Sequence, residues 1–105
     1  MKANEIFELI EKINRSDKAL YLIKIEGTGY IELKKAEVLT ILHREYSDAM
    51  LDEFRPTLKS IRYKEMAKRM NIHPVKFTQM ISGHIKSTKE IGTTLDFIAK
   101  VKSLL

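Results

Sequence analysis

The chain has 105 residues, of which 44% are hydrophobic, so it can form one small core with at most a short appendage. It contains no cysteine, which excludes a disulfide framework, a thiolate nucleophile and a Cys-based zinc site. No apolar run approaches the roughly 20 residues that span a bilayer, and the N-terminus lacks the features of a signal peptide. We therefore expect a cytoplasmic protein without a membrane partner.

The net charge of +5 is divided unevenly along the chain. Residues 1–54 carry eight Lys or Arg and eleven Asp or Glu, a balance of −3, whereas residues 55–105 carry eleven and three, a balance of +8. A segment this basic attracts polyanions, although a solvated lysine-rich surface has the same composition. Charge alone does not choose among DNA, RNA and an acidic protein.

The N-terminal third combines a helical pattern with an alternating one. Apolar residues recur at helical spacing after Asn4, which can cap this first helix, at Ile6, Leu9, Ile10 and Ile13. Tyr21 to Ile25 then alternate in a strand pattern, and Gly27 and Gly29 can turn the chain back through residues 30–33. The sequence predicts a small β-hairpin, which needs a helix to cover it.

Helical spacing returns from Lys35 to about Phe54, and Pro56 marks the end of this helix or a point shortly after it. Short helices and turns follow from Ser60. Two capping boxes could begin the last helix, one formed by Ser87 with Glu90 and one by Thr93 with Asp96. The sequence does not decide between them.

The most informative stretch runs from residue 62 to residue 83, where two short helical patterns flank the turn sequence NIHP. Asn71 tolerates the left-handed conformation that ends a helix, and Ile72 can enter the core as the chain turns. Pro74 suits the first turn of the second helix, with His73 as its N-cap. The spacing therefore predicts a helix-turn-helix.

The predicted second helix, about residues 74–82, has two different faces. Its apolar residues can share one core with those of the first helix and the turn, namely Met66, Met70, Ile72, Phe77 and Met80. This arrangement turns the remaining side chains outward or half outward: Val75, Lys76, Thr78, Gln79 and Ser82. A helix with such an outer face can lie in the major groove of DNA.

These residues resemble the helix-turn-helix of the lambda-repressor-like family of DNA-binding proteins, also called Cro/CI or XRE. The resemblance is carried by Ala67, Ile72, Phe77 and the closing Ser82–Gly83. It covers residues 60–101 well, residues 35–54 as an opening helix, and residues 1–33 not at all. The chain departs from the family pattern at Asn71, where Gly is frequent, and at Phe77, where an aliphatic residue is usual.

The resemblance implies a bundle of about five helices that binds inverted-repeat operators as a homodimer. The expected fold class is mainly α: a lambda-repressor-like bundle with an N-terminal helix and a small β-hairpin added. Residues 1–34 are predicted to form an extension for dimerisation or partner binding, and residues 35–105 the DNA-binding domain. The N-terminal extension has no counterpart in the resemblance.

The predicted contacts follow from donor and acceptor chemistry and from the family pattern. Gln79 can bind adenine in bidentate fashion, Lys76 can reach guanine or a phosphate, and Val75 can touch a thymine methyl group. The residues expected to contact phosphates are Lys64, His73, Thr78, Ser82, Lys86 and Lys89. Taken singly, Lys64, Lys68 and Lys89 are better explained as ordinary solvated side chains than as phosphate contacts.

The expected function is a sequence-specific regulator of transcription that binds double-stranded DNA, acts as a repressor and associates with the nucleoid. No acid–base couple stands at catalytic spacing, and the sequence EGTGY lacks the lysine of a phosphate-binding loop. We therefore expect no enzyme activity, cofactor or metal. The alternative is an antitoxin whose acidic N-terminal part binds a basic toxin while the remainder represses its own operon.

Overall fold

The computed structural model describes residues 1–105 and is mainly helical, with five helices and two short antiparallel hairpins. The elements in chain order are α1 (Ala3–Arg15), β1 (Leu20–Ile25), β2 (Gly29–Lys34), α2 (Lys35–Leu58), α3 (Tyr63–Arg69), α4 (Pro74–Ser82), β3 (Ser87–Thr88), β4 (Gly92–Thr93) and α5 (Thr94–Leu104). This confirms the expectation of a mainly helical chain with an N-terminal helix and a small hairpin. None of the helices combines the length and the apolar character needed to cross a bilayer.

The chain divides into two compact units, Met1–Tyr46 and Ser47–Leu105. This division falls within α2. The predicted boundary after residue 34 falls instead at the junction of β2 and α2, where a strand gives way to a helix. The roles predicted for residues 1–34 and 35–105 stay predictions.

Helix α1 begins at Ala3, so the prediction that Asn4 is its N-cap is wrong. The carboxylate of Glu5 accepts a hydrogen bond from the backbone N–H of Lys2 at 3.1 Å, which satisfies a backbone donor at the helix start. Ala3, Ile6 and Ile10 are buried on one face of the helix. The predicted apolar spacing therefore describes this face correctly, although the helix starts two residues earlier than expected.

The hairpin of β1 and β2 forms as predicted, with Ile23 opposite Ile31 at its centre. Its turn is closed by a hydrogen bond from the N–H of Thr28 to the carbonyl of Ile25 at 3.2 Å. Gly27, the third residue of this turn, has a φ of 80°, the left-handed value that favours glycine. The expected cover is largely missing, because only Tyr21 and Leu33 are half-buried and the other strand residues are exposed.

Helix α2 continues through Pro56 to Leu58, two residues past the proline that was expected to mark its end. The side chain of Leu58 is fully buried, and this burial stabilises the last turn of the helix. The N–H of Lys59 also donates to the carbonyl of Arg55 at 3.2 Å. Tertiary packing thus outweighs the loss of one backbone donor at Pro56.

The core of the second unit is built around Phe77, which has no exposed surface. Its ring lies 5.5 Å from that of Tyr63 and 5.1 Å from that of Phe97, measured between ring centres. The five residues predicted to form a shared core are all buried in it: Met66, Met70, Ile72, Phe77 and Met80. Burying a side chain of this size contributes about 1.5–3 kcal/mol relative to leaving it exposed.

The last helix, α5, starts at the second of the two capping boxes that the sequence offers. The hydroxyl of Thr93 accepts from the N–H of Asp96 at 3.3 Å, and the Asp96 carboxylate accepts from the N–H of Thr93 at 2.9 Å. Ser87 instead begins the two-residue strand β3, which pairs with β4. This second hairpin was not anticipated, because strands of two residues leave no periodic pattern.

Candidate nucleic-acid interface

The turn between α3 and α4 is fixed by backbone hydrogen bonds. Asn71 has a φ of 58°, and its N–H donates to the carbonyl of Lys68 at 3.1 Å. The N–H of Ile72 donates to the carbonyl of Ala67 at 3.0 Å. These two bonds form a Schellman motif, which satisfies the last carbonyls of α3 and directs Ile72 into the core.

Helix α4 begins as the sequence predicts, with His73 at its N-cap and Pro74 at its first position. The ring nitrogen Nδ1 of His73 accepts a hydrogen bond from the N–H of Val75 at 3.1 Å. Because Nδ1 accepts, the proton of the neutral ring is on Nε2. His73 therefore caps the helix with one nitrogen and keeps a donor on the other.

The outer face of α4 carries the side chains that were predicted to read bases. Val75 is 55% exposed. Lys76 is exposed, and Gln79 is half-buried with a side-chain amide that forms no hydrogen bond within the chain. Val75, Lys76 and Gln79 lie on neighbouring turns of one helix, and together they offer an apolar contact, a cation and an amide.

The two hydroxyl groups predicted to contact phosphates already donate within α4. Thr78 Oγ1 donates to the carbonyl of Pro74 at 3.0 Å, and Ser82 Oγ donates to the carbonyl of Gln79 at 3.1 Å. Ser82 Oγ also lies 2.6 Å from Nδ1 of His84. A phosphate oxygen can only accept, so it would compete with these internal bonds for both hydroxyl groups.

A basic groove lies at the start of α4. It has a volume of about 430 Å³ and is lined by Lys64, Lys68, Asn71, Ile72, His73 and Pro74. The groove brings together two predicted phosphate-contacting residues, Lys64 and His73, and adds Lys68. Pro74 has no N–H and the N–H of Val75 is bonded to His73, so any attraction for anions here comes from the lysines and from the positive end of the helix dipole.

Two of the predicted DNA-contacting lysines are paired with acids. Lys76 Nζ lies 3.4 Å from a carboxylate oxygen of Glu90, and Lys86 Nζ lies 3.1 Å from one of Asp48. Hydrogen bonding by its own backbone and then by Lys76 lowers the pKa of Glu90 below its ordinary value. Glu90 is therefore charged at neutral pH, and the exposed Lys89 also attracts it.

Arg55 is a structural determinant of this surface that the sequence analysis missed. Its guanidinium donates from Nε and Nη2 to the carbonyl of Ile81 at 3.2 and 3.1 Å, and its Nη1 bonds to Asp52. It thereby holds the C-terminal end of α4 against α2. No local pattern could reveal this contact, because Arg55 and Ile81 are 26 positions apart in sequence.

The structural units redistribute the charge found along the sequence. The first unit carries eight Lys or Arg and eight Asp or Glu, so it is neutral. The second unit carries eleven and six, a net charge of +5. The acidic excess of residues 1–54 comes from Asp48, Asp52 and Glu53, which belong to the basic unit.

Comparison of the chain with protein-family models, with curated proteins and with solved structures gives no match. No group of three His, Asp or Glu residues lies close enough to hold a metal ion.

Proposed function

We propose that α3 and α4 form a helix-turn-helix that binds double-stranded DNA with sequence preference, and that the protein regulates transcription as a repressor. Helix α4 is the proposed recognition helix and would enter the major groove. Val75, Lys76 and Gln79 are its proposed base contacts. The groove at the start of α4 and the lysines that follow it would contact the phosphate backbone.

The observation that carries this proposal is the pairing of a basic groove with an uncommitted outer helix face. Lys64, Lys68 and His73 line one groove at the start of α4. One turn further along, the Gln79 amide makes no hydrogen bond within the chain and can pair with a base edge.

Selection of binding sites from random duplex DNA at two salt concentrations tests the proposal. We expect an enriched sequence with two-fold symmetry, because the resemblance implies a homodimer with half-sites about one helical turn apart, near 34 Å. Affinity should fall steeply as salt increases, since lysine contacts release counterions. Enrichment of no sequence would refute sequence-specific binding.

Two kinds of variant separate base contacts from phosphate contacts. Gln79→Ala is expected to weaken binding to the selected site by about 1–3 kcal/mol while leaving binding to other duplexes unchanged. Lys64→Ala and Lys86→Ala are expected to weaken binding to every duplex alike. Lys12→Ala, an exposed lysine of α1, is the matched control and should change neither. Unchanged preference after Gln79→Ala would contradict its role.

The ion pairs give a test in the opposite direction. Glu90→Gln removes a negative charge beside Lys76 and releases that lysine, so binding to all duplexes is expected to strengthen several-fold at low salt. Asp48→Asn should act likewise through Lys86. Glu8→Gln in α1 is the control for a change of net charge. Equal effects of the three substitutions would show that no local contact is involved.

The antitoxin alternative loses its motivating observation in the structure. It was suggested by an acidic N-terminal part, but the unit Met1–Tyr46 is neutral. Among the acids responsible for the acidic excess, Asp48 and Asp52 pair with Lys86 and Arg55 of the same unit. The charge of the units thus gives a basic protein partner no support, and the regulator is the function we propose.

A further inference from the structure

The hairpin of β1 and β2 exposes more apolar surface to solvent than a folded protein usually does. Six of its large hydrophobic side chains are 36–72% exposed: Leu20, Leu22, Ile23, Ile25, Tyr30 and Ile31. Because successive side chains of a strand point to opposite faces, Ile23, Ile25 and Ile31 lie on one face of the hairpin and Leu20, Leu22 and Tyr30 on the other. Apolar side chains grouped on an exposed surface are often interaction sites. A two-stranded hairpin is also marginally stable by itself.

The outer edges of the two strands differ in how many of their backbone N–H and C=O groups are free to pair with another strand. The N–H of Lys35 donates to the carbonyl of Ala19, which lies directly opposite it in the ladder. Hydrogen-bonded pairs alternate along an antiparallel ladder, so the N–H and C=O groups of Leu22 and Lys24 point away from β2. On β2, the corresponding outward N–H of Lys34 is already bonded to the Glu37 carboxylate at 2.9 Å.

The sequence of β1 is also the better suited to pairing with another strand. Among its six residues only Lys24 is charged, whereas β2 contains Glu32 and Lys34 and begins with a glycine. Charged residues at an edge oppose pairing with other strands, and apolar β-branched residues favour it. The outer edge of β1 is therefore the open pairing surface of this hairpin.

We propose that the outer edge of β1 pairs antiparallel with the same edge of a second copy of this chain, about a two-fold axis at Ile23. In this register Ile23 faces Ile23 of the other copy, Tyr21 faces Ile25, and Leu22 faces Lys24. No like charges are opposite one another, and three apolar pairs form on one face. A two-fold axis at Leu22 would give only two apolar pairs on this face within the strand, so the axis at Ile23 is favoured.

The resulting sheet has four strands, and a row of four isoleucines crosses its centre: Ile31 and Ile23 of one copy followed by Ile23 and Ile31 of the other. Each inner isoleucine gains an apolar neighbour on its formerly open side, which reduces the exposure of the hairpin. The interface is isologous, as closed two-fold symmetry requires. The proposal does not rest on DNA binding, and its tests use none.

Engineered cysteines test the register, because the chain contains no cysteine of its own. In the full-length protein, Ile23→Cys places two sulfur-bearing residues opposite one another in a non-hydrogen-bonded pair, with Cα atoms about 4.5 Å apart. This separation permits a disulfide. We expect Ile23→Cys to form a covalent dimer under mild oxidation, which non-reducing gels can detect. The rate of this cross-linking should not rise when an unrelated protein is added.

Ile31→Cys is the matched control, since Ile31 lies on the same face opposite Ile23 and is 40% exposed against 37%. In the proposed sheet the two copies of Ile31 lie three strand spacings apart, about 14 Å, which is too far for a disulfide. Cross-linking of Ile31→Cys as fast as Ile23→Cys would overturn the proposal, because it would indicate face-to-face packing or pairing through β2.

Proline substitutions test the edge without adding a thiol. Leu22→Pro removes an outward N–H from β1, and Glu32→Pro removes one from the position directly opposite on β2. Sedimentation equilibrium should show a dimer for the unmodified protein and for Glu32→Pro, and a monomer for Leu22→Pro. Circular dichroism identifies any variant that fails to fold. A monomeric unmodified protein, or a dimeric and folded Leu22→Pro variant, would refute the proposed interface.

Discussion

Asn71 offers the sharpest test of the turn that joins α3 and α4. Its φ of 58° lies in the left-handed region, which costs a residue with a Cβ atom roughly 1–2 kcal/mol and which asparagine tolerates better than most. Asn71→Ala is therefore expected to lower the free energy of unfolding by about 1 kcal/mol. Asn71→Gly should leave it unchanged or raise it by up to about 1 kcal/mol.

Thermal unfolding followed by circular dichroism can resolve these changes, since about 1 kcal/mol shifts the melting temperature of a small unit by roughly 4–8 °C. Asn14 is the matched control because it is an exposed asparagine with a right-handed helical backbone, in the last turn of α1. There the order should invert, with alanine the most stable and glycine about 1 kcal/mol below it. If alanine is as stable as glycine at position 71, the left-handed turn does not determine the stability of this corner.

Three further predictions concern single side chains. Arg55→Ala removes two hydrogen bonds to the end of α4 and should cost roughly 1–3 kcal/mol in urea unfolding; Arg15→Ala, which breaks only a surface pair, should cost less than about 1 kcal/mol. Hydrogen bonds from the backbone and then the hydroxyl of Thr93 lower the pKa of Asp96, so its stabilising effect is present above its ordinary pKa and is lost as the pH falls through the lowered value. Asp96→Asn should therefore flatten the acid limb of the stability profile. Tyr21→Phe removes a buried hydroxyl that has no hydrogen-bond partner and should not lower the melting temperature.

Local patterns in the sequence predicted the elements whose causes are local. Asn71, Ile72 and Pro74 specify a helix end, a core contact and a helix start within four residues, and each has the predicted conformation. Gly27 and Gly29 likewise have positive φ values at the tip of the predicted hairpin. The passage of α2 through Pro56 was not predictable in this way, because it depends on the burial of Leu58 in a core assembled from distant segments.

The candidate interface was predictable only in part for the same reason. Helical spacing correctly placed Phe77 and Met80 inside and Val75 and Lys76 outside. The acidic partners of Lys76 and Lys86 are 14 and 38 positions away, and no short pattern links them. The exposure of the first hairpin was also unpredictable, since alternation shows that a strand has an apolar face but not what covers it.

The corner at Asn71 and Pro74 has a consequence for the thermodynamics of recognition. Two backbone hydrogen bonds, a left-handed asparagine and a proline ring hold this segment, so it has little conformational freedom to lose when a macromolecule docks against it. Calorimetry on such an association should therefore record a small heat-capacity change, typical of two rigid surfaces meeting and unlike the large change of a chain that folds as it binds.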